Sequence, residues 1–213
     1  MEANGNYIHP TAIVEPGVKM GRDNYVGPGC MIKAGTIIGN GNRFEAFVMV
    51  GMAAEKHQYF DGHLTGRVVI GNYNVFREFV TIHSGTTAHT HIGCNCTMLT
   101  KSHLGHDVIM RDGVTLSCGV LIGGHSLLFD GCNFGLNACC HQFSRIGHFA
   151  MVGMGAVVTK KSVVEPFDMV VGVPAERIGE NRVAIERNQI SDHDMQAHIR
   201  EFHGKPEKCV GPY

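Results

Sequence analysis

Residues 92–128 read IGCNCTMLTKSHLGHDVIMRDGVTLSCGVLIGGHSLL, and every sixth one is apolar: Ile92, Met98, Leu104, Met110, Leu116, Ile122 and Leu128. The step continues without a miss through Phe134, Cys140, Ile146, Val152, Val158 and Val164 to Val170. Upstream, the same count from Ile8 meets Val14, Met20, Val26, Ile32, Ile38, Phe44 and Val50, and a short ladder of Ile70, Phe76 and Ile82 lies between the two. With 44% hydrophobic residues, about eleven of these twenty-five positions would be apolar by chance. The freedom to place two phase breaks does not close that gap. Glycine follows the anchor at eleven places, Gly71, Gly105 and Gly123 among them, so each hexad reads as strand then turn. A period of six with one bulky inward residue predicts an all-β parallel β-helix, three short strands to a coil of eighteen residues. Twenty-five hexads make about eight coils, a prism about 40 Å long at the usual strand spacing. On the strength of that period we set an ordinary sandwich aside.

The breaks in phase are informative because extra residues must leave the coil as loops. The larger excursion is residues 51–68, GMAAEKHQYFDGHLTGRV, and the smaller spans 85–91. Both are candidates for substrate contact, or plain surface decoration. After Val173 the hexads stop, which predicts a repeat domain over 1–173 and a helical tail over 174–213. In that tail Ser191 and Asp194 have the spacing of a capping box, and Met195, Ile199 and Phe202 form an apolar stripe. Two short helices are expected to pack on the prism and cover an end or an edge.

The chain has 213 residues and a formal net charge of −1, which argues against a nucleic-acid footprint. No apolar run approaches the length of a spanning helix, and MEANGNYIHP has neither a basic segment nor an apolar h-region, so membrane insertion and secretion are not expected. The eight cysteines are irregularly spaced and read as reduced thiols of a cytoplasmic protein.

Fourteen histidines are unusual, and several fall in glycine-rich turns. His103 and His106 flank Leu104, and His125 and His141 follow at about one and two coils, so one face of the prism is expected to carry the row. A catalytic zinc needs three convergent ligands. His89 and His125 stand two coils apart, but the third position that β-helical carbonic anhydrases would use is Asp130, and His106 meets Gln142 rather than histidine at the same step. General-base chemistry asks for a single neutral imidazole beside a nucleophilic hydroxyl or amine, and His106 is the best placed. Asp107 is adjacent, yet neighbours on a strand point to opposite faces, so its part is expected to be weak. An N–H of the Gly123-Gly124 turn is placed to stabilise a tetrahedral oxyanion.

The segments IHPTAIVEPG (8–17), IGNYNVFREFVTIHSGT (70–86), SHLGHD (102–107), IGGH (122–125), CHQFSRIGHFAMVG (140–153) and GVPA (172–175) resemble the UDP-N-acetylglucosamine O-acyltransferases that begin lipid A biosynthesis. The likeness runs over almost the whole chain. It implies a left-handed β-helix, a homotrimer with active sites between subunits, and transfer of an acyl group from an acyl carrier protein to the 3-hydroxyl of the sugar. Position by position, it implies that His106 is the base, that Gly124 is the oxyanion glycine and that His103, His125, His141 and Gln142 contact substrate. It likewise implies that Asn181 and Arg187 serve the nucleotide and the donor, and that no bound cofactor or metal is needed. Departures from the family bear on specificity: Lys56-His57-Gln58-Tyr59 lacks the family's lysine before the tyrosine, the second loop lacks its glycine-rich insertion, Val183 replaces an acidic residue, the tail is shorter than the usual helical domain, and Met154 stands where acyl length is limited. A bulky Met154 implies a short acyl pocket, which leaves coenzyme A open as the thioester carrier. The leading expectation is acyl transfer to a 3-hydroxyl or 3-amino group of a UDP-N-acetylglucosamine-type sugar. An acetyl-CoA-dependent N-acetyltransferase acting on another amino sugar nucleotide is the neighbouring alternative. Zinc-dependent hydration and a noncatalytic scaffold are alternatives of other classes.

Overall fold

The computed structural model describes residues 3–55, 66–160 and 162–204. Residues 56–65 of the first excursion, with the Lys56–Tyr59 segment, lie outside the described residues. The hexads form a parallel β-solenoid. Two-residue strands alternate among three sheets, and each sheet is a stack of successive coils. The first sheet runs from Tyr7–Ile8 to Asp168–Val171, the second from Ile13–Val14 to Val157–Val158, and the third from Lys19–Met20 to Arg145–Ile146. Register follows the repeat: Tyr25 lies over Arg43, and His103 over Leu121 and then Cys139. The eighteen-residue step becomes 32 across the first excursion and 22 across the second, as the phase breaks require.

Twenty-two of the twenty-five anchors are buried, and the other three, Ile8, Val14 and Met20, are the half-buried anchors of the first coil. Phe44 and Phe76 stack inside the prism with ring centroids 4.8 Å apart. The glycines after the anchors answer to crowding between coils. A Cβ on Gly71 would stand 2.5 Å from the Gly93 carbonyl of the next coil, a separation no side chain tolerates.

A polar ladder runs beside the apolar one and was not read from the sequence. Asn6, Asn24, Asn42 and Asn74 are buried at one corner, one per coil. The Oδ1 of each accepts the backbone N–H of the next member, at 2.9 Å, 2.8 Å and 3.0 Å, and Asn74 Oδ1 accepts from Cys96 N at 2.7 Å. Their Nδ2 groups donate to the carbonyls of Gly21, Gly39, Gly71 and Gly93. Each side chain thereby satisfies a donor and an acceptor that the sheets leave unpaired.

At the far end, Glu176–Glu180 adds an antiparallel strand to the first sheet and covers its edge, a hairpin the sequence reading did not contain. Helices α1 (Arg182–Arg187) and α2 (Asp192–His203) follow, and α2 opens on the expected capping box of Ser191 and Asp194. Of the apolar stripe, Phe202 is buried against Phe129, while Met195 and Ile199 are half-buried.

Candidate active site

The strand His103–Leu104 ends in a turn formed by Gly105, His106 and Asp107. Asp107 has φ 58°, in the left-handed region, and this reverses the strand alternation on which the sequence reading rested. The two side chains converge instead of diverging, with His106 Nδ1 2.7 Å from Asp107 Oδ2. The weak part expected for Asp107 is therefore corrected: it orients the imidazole.

Asp107 is itself held by the second excursion. Its carboxylate accepts from Thr86 N at 3.0 Å, Thr86 Oγ1 at 2.7 Å, Thr87 N at 2.9 Å and Ala88 N at 2.7 Å. Burial opposes its ionisation, but these donors and His106 outweigh burial and hold the carboxyl well below the usual carboxylate range. An ionised carboxylate only accepts, so Nδ1 of His106 carries the proton when the ring is neutral and Nε2 is left with a free lone pair.

Nε2 faces the next coil. A Cβ on Gly124 would lie 2.8 Å from it and 2.9 Å from Cε1, so only glycine fits beside the ring. Among the described residues the Gly124 N–H has no hydrogen-bond partner. His125 stands over Asp107, edge-on to the His106 ring at 4.9 Å, and stacks on Phe143 at 4.6 Å. His141 and Gln142, one coil further, are exposed, and His141 Nδ1 is 2.9 Å from the Gln142 carbonyl. Of the row foreseen from spacing, His106 and His125 stand together, although His125 aligns with Asp107 rather than with His106.

His103 belongs to a neighbouring cluster. Its Nδ1 is 2.7 Å from Thr81 Oγ1, and its Nε2 is 3.2 Å from Glu55 Oε1, the oxygen that also lies 3.2 Å from His83 Nδ1. Burial pushes the His103 pKa below its usual value, helped by His83 and opposed by Glu55. A cavity of about 230 Å³ runs from this cluster to the Gly123-Gly124 turn, lined by Glu55, His103, Leu121, Gly123 and Gly124. Sequence reasoning missed Glu55, His83 and the Thr86–Ala88 cradle. The HSGT segment after Ile82 was the available signal, since a polar run at a phase break is free to turn back on the adjacent coil.

The remaining expected residues stand on other corners. Asn181 and Arg187 line a separate cavity of about 700 Å³ with Asp112, Phe149 and Met151. Asn181 caps α1 through Oδ1 and donates from Nδ2 to the Phe149 carbonyl at 2.8 Å. Met154, 72% exposed, sits on the turn between the first and second sheets. One chain does not bring these three to His106.

Residues 17–51 match the bacterial transferase hexapeptide (six repeats) family. The acyl-(acyl carrier protein)-UDP-N-acetylglucosamine O-acyltransferase of Anaeromyxobacter sp. (strain Fw109-5) is 36% identical over 206 residues, covering 87% of this chain and 79% of that protein. The corresponding protein of Thiobacillus denitrificans is 32% identical, over 92% of this chain and 82% of its own. Among solved structures, the UDP-N-acetylglucosamine acyltransferase of Francisella novicida superposes with a TM-score of 0.79 at 27% identity, covering 92% of this chain and 78% of that one. Likeness of this depth extends through the turn that presents His106 and Gly124 and on into the tail, and it places the chain in the UDP-N-acetylglucosamine O-acyltransferase family.

Proposed function

We propose that the protein transfers an acyl group from an acyl carrier protein thioester to the 3-hydroxyl of UDP-N-acetylglucosamine, the reaction that opens lipid A biosynthesis. The observation that carries this reading is the Asp107–His106 pair, with Nε2 turned toward Gly124 and the cavity beside it. His106 Nε2 removes the proton of the sugar hydroxyl as its oxygen attacks the thioester carbonyl. The carbonyl oxygen becomes an oxyanion beside the Gly124 N–H. Collapse of this intermediate forms the ester and breaks the carbon–sulfur bond, and the thiolate takes the proton from His106.

In this reading His103, His125, His141 and Gln142 hold the sugar nucleotide, Met154 limits acyl length, and residues 1–173 form the catalytic prism. Asn181 and Arg187 of the 174–213 tail serve the nucleotide and the donor. Because they and Met154 lie on other corners, a complete site draws on more than one copy, and a homotrimer meets that need. Exposed Leu121, Phe143 and Met154 supply apolar surface for such contacts. Among the described residues no helix is long and apolar enough to cross a membrane, which is compatible with work in the cytoplasm on a soluble carrier.

The test is incubation of purified protein with UDP-N-acetylglucosamine, a series of acyl carrier protein thioesters and acetyl-CoA, with products read by mass spectrometry. An O-acyl sugar nucleotide made from a carrier thioester is the expected product, and His106→Ala should lower kcat about 10²–10⁴-fold in a folded protein. Product from acetyl-CoA alone would overturn the carrier-protein reading, and undiminished turnover by the variant would overturn the mechanism.

A further inference from the structure

At the turn that follows Arg145–Ile146, α2 brings a second set of histidines against the coils. His148 is 0% exposed, and neither ring nitrogen has a hydrogen-bond partner in proper geometry among the described residues. A buried imidazole whose nitrogens have carboxylates close by but out of hydrogen-bond geometry is costly, and such a group calls for a better-placed partner. Its Nε2 lies 3.1 Å from Glu201 Oε2 of α2, and the His148 and His198 ring centroids are 4.3 Å apart. His198 and Glu201 are three residues apart, on one face of the helix. One ligand atom from each of the three residues falls within 4.8 Å of the other two.

We propose that His148, His198 and Glu201 form a zinc site that fastens α2 to the β-helix. Two imidazoles and a carboxylate are a donor set suited to zinc, and a tetrahedral ion with bonds of about 2.0–2.1 Å separates its ligands by about 3.3 Å. The 3.1 Å between His148 Nε2 and Glu201 Oε2 is close to that edge. On the other side of the ring Asp130 Oδ2 is 3.3 Å from His148 Nδ1, in the position of the carboxylate that orients a zinc-bound imidazole. Arg111 pairs with Glu201 and lies 3.7 Å from Asp130, so one guanidinium faces two carboxylates and the pocket keeps a net negative charge. The fourth position is left to water. Nothing in the acyl-transfer reading requires this ion; its consequence is mechanical, since His148 belongs to a coil and the other two ligands to the tail.

The experiment uses the full chain, stripped with a chelator and titrated with Zn²⁺, with stoichiometry read by native mass spectrometry and stability by thermal melting. Co²⁺ serves as the spectroscopic substitute. One equivalent per chain is expected, with a melting temperature that rises with zinc concentration by mass action and a tetrahedral Co²⁺ spectrum. His198→Ala and Glu201→Gln, on a half-exposed helix and safer than any change at buried His148, should each weaken zinc binding about tenfold or more and abolish the thermal shift. His83→Ala, which alters the other imidazole cluster, should leave both unchanged. Absence of binding at micromolar zinc, or equal binding by His198→Ala, would overturn the proposal and reduce the cluster to an ion-paired contact.

Discussion

Replacing Gly124 by alanine tests the position of the base without touching any group that does chemistry, because the backbone N–H survives the change. The new Cβ would lie 2.8 Å from His106 Nε2, 2.9 Å from Cε1 and 3.0 Å from the His106 carbonyl oxygen. Ordinary contact needs about 3.5 Å or more, so the ring must retreat by about 0.7 Å. Retreat is obstructed, because Nδ1 is tied to Asp107 at 2.7 Å and His125 stands edge-on at 4.9 Å. Displacing a reacting group by about 1 Å costs about 10²-fold in rate, or about 2.7 kcal/mol on the barrier. Overpacking should also take about 1–3 kcal/mol from stability. Steady-state turnover and urea denaturation would be measured on Gly124→Ala, His106→Ala and the double variant. If the clash is with the imidazole, the stability loss at position 124 shrinks in the His106→Ala background, leaving only the contact with the carbonyl. Wild-type turnover by Gly124→Ala, or a stability loss that is the same in both backgrounds, would refute the geometry.

Asp107→Asn should lower kcat by about 10²-fold or more, since the amide no longer fixes the Nδ1–H tautomer, and should speed amide exchange at Thr87 and Ala88, whose N–H groups it anchors; unchanged exchange would refute the cradle. Asn42→Ala strands the Asn74 N–H and the Gly71 carbonyl in the interior and should cost about 3 kcal/mol in urea denaturation, whereas a loss under about 1 kcal/mol would show that the ladder does little. Stability should fall as pH drops. Burial holds His91 and His103 below the usual imidazole value of 6.5, so the unfolded chain takes up those protons first, and ∂ΔG/∂pH is positive where the unfolded state binds more protons. Asp107, also depressed, adds a loss of the same sign as pH falls through and below the ordinary carboxylate range. A thermal midpoint that rose between pH 7 and pH 5 would contradict both shifts.

The apolar half of the fold was legible because it repeats: one inward residue every six positions is a local signal, and the structure buries these anchors from Val26 through Val170. The asparagine ladder obeys the same stacking and went unread, although Asn6, Asn24 and Asn42 keep the eighteen-residue step; the first excursion stretches the next step, to Asn74, to 32 residues. The closeness of His106 and Gly124 was legible from their turn positions one coil apart. The link from Asp107 was misjudged because strand alternation was applied to a residue that the backbone places in the left-handed region. The contacts of Glu55 and the Thr86–Ala88 cradle were not legible beyond their place in the two excursions, since loops that leave a coil carry no periodicity to say where they return.

The unequal burial of the anchors along the stack has a consequence for how the molecule opens. A solenoid behaves as a one-dimensional array in which each unit is held chiefly by its neighbours. Among the described residues the first-coil anchors Ile8, Val14 and Met20 are half-buried, while at the other end the antiparallel strand Glu176–Glu180 covers the edge of the first sheet. Fraying should therefore start more readily at the N-terminal coil, as an unzipping front in which amide protection grows coil by coil. The turn that holds His106 has complete coils on both sides, so the array can lose its first layer while the reacting groups keep their spacing.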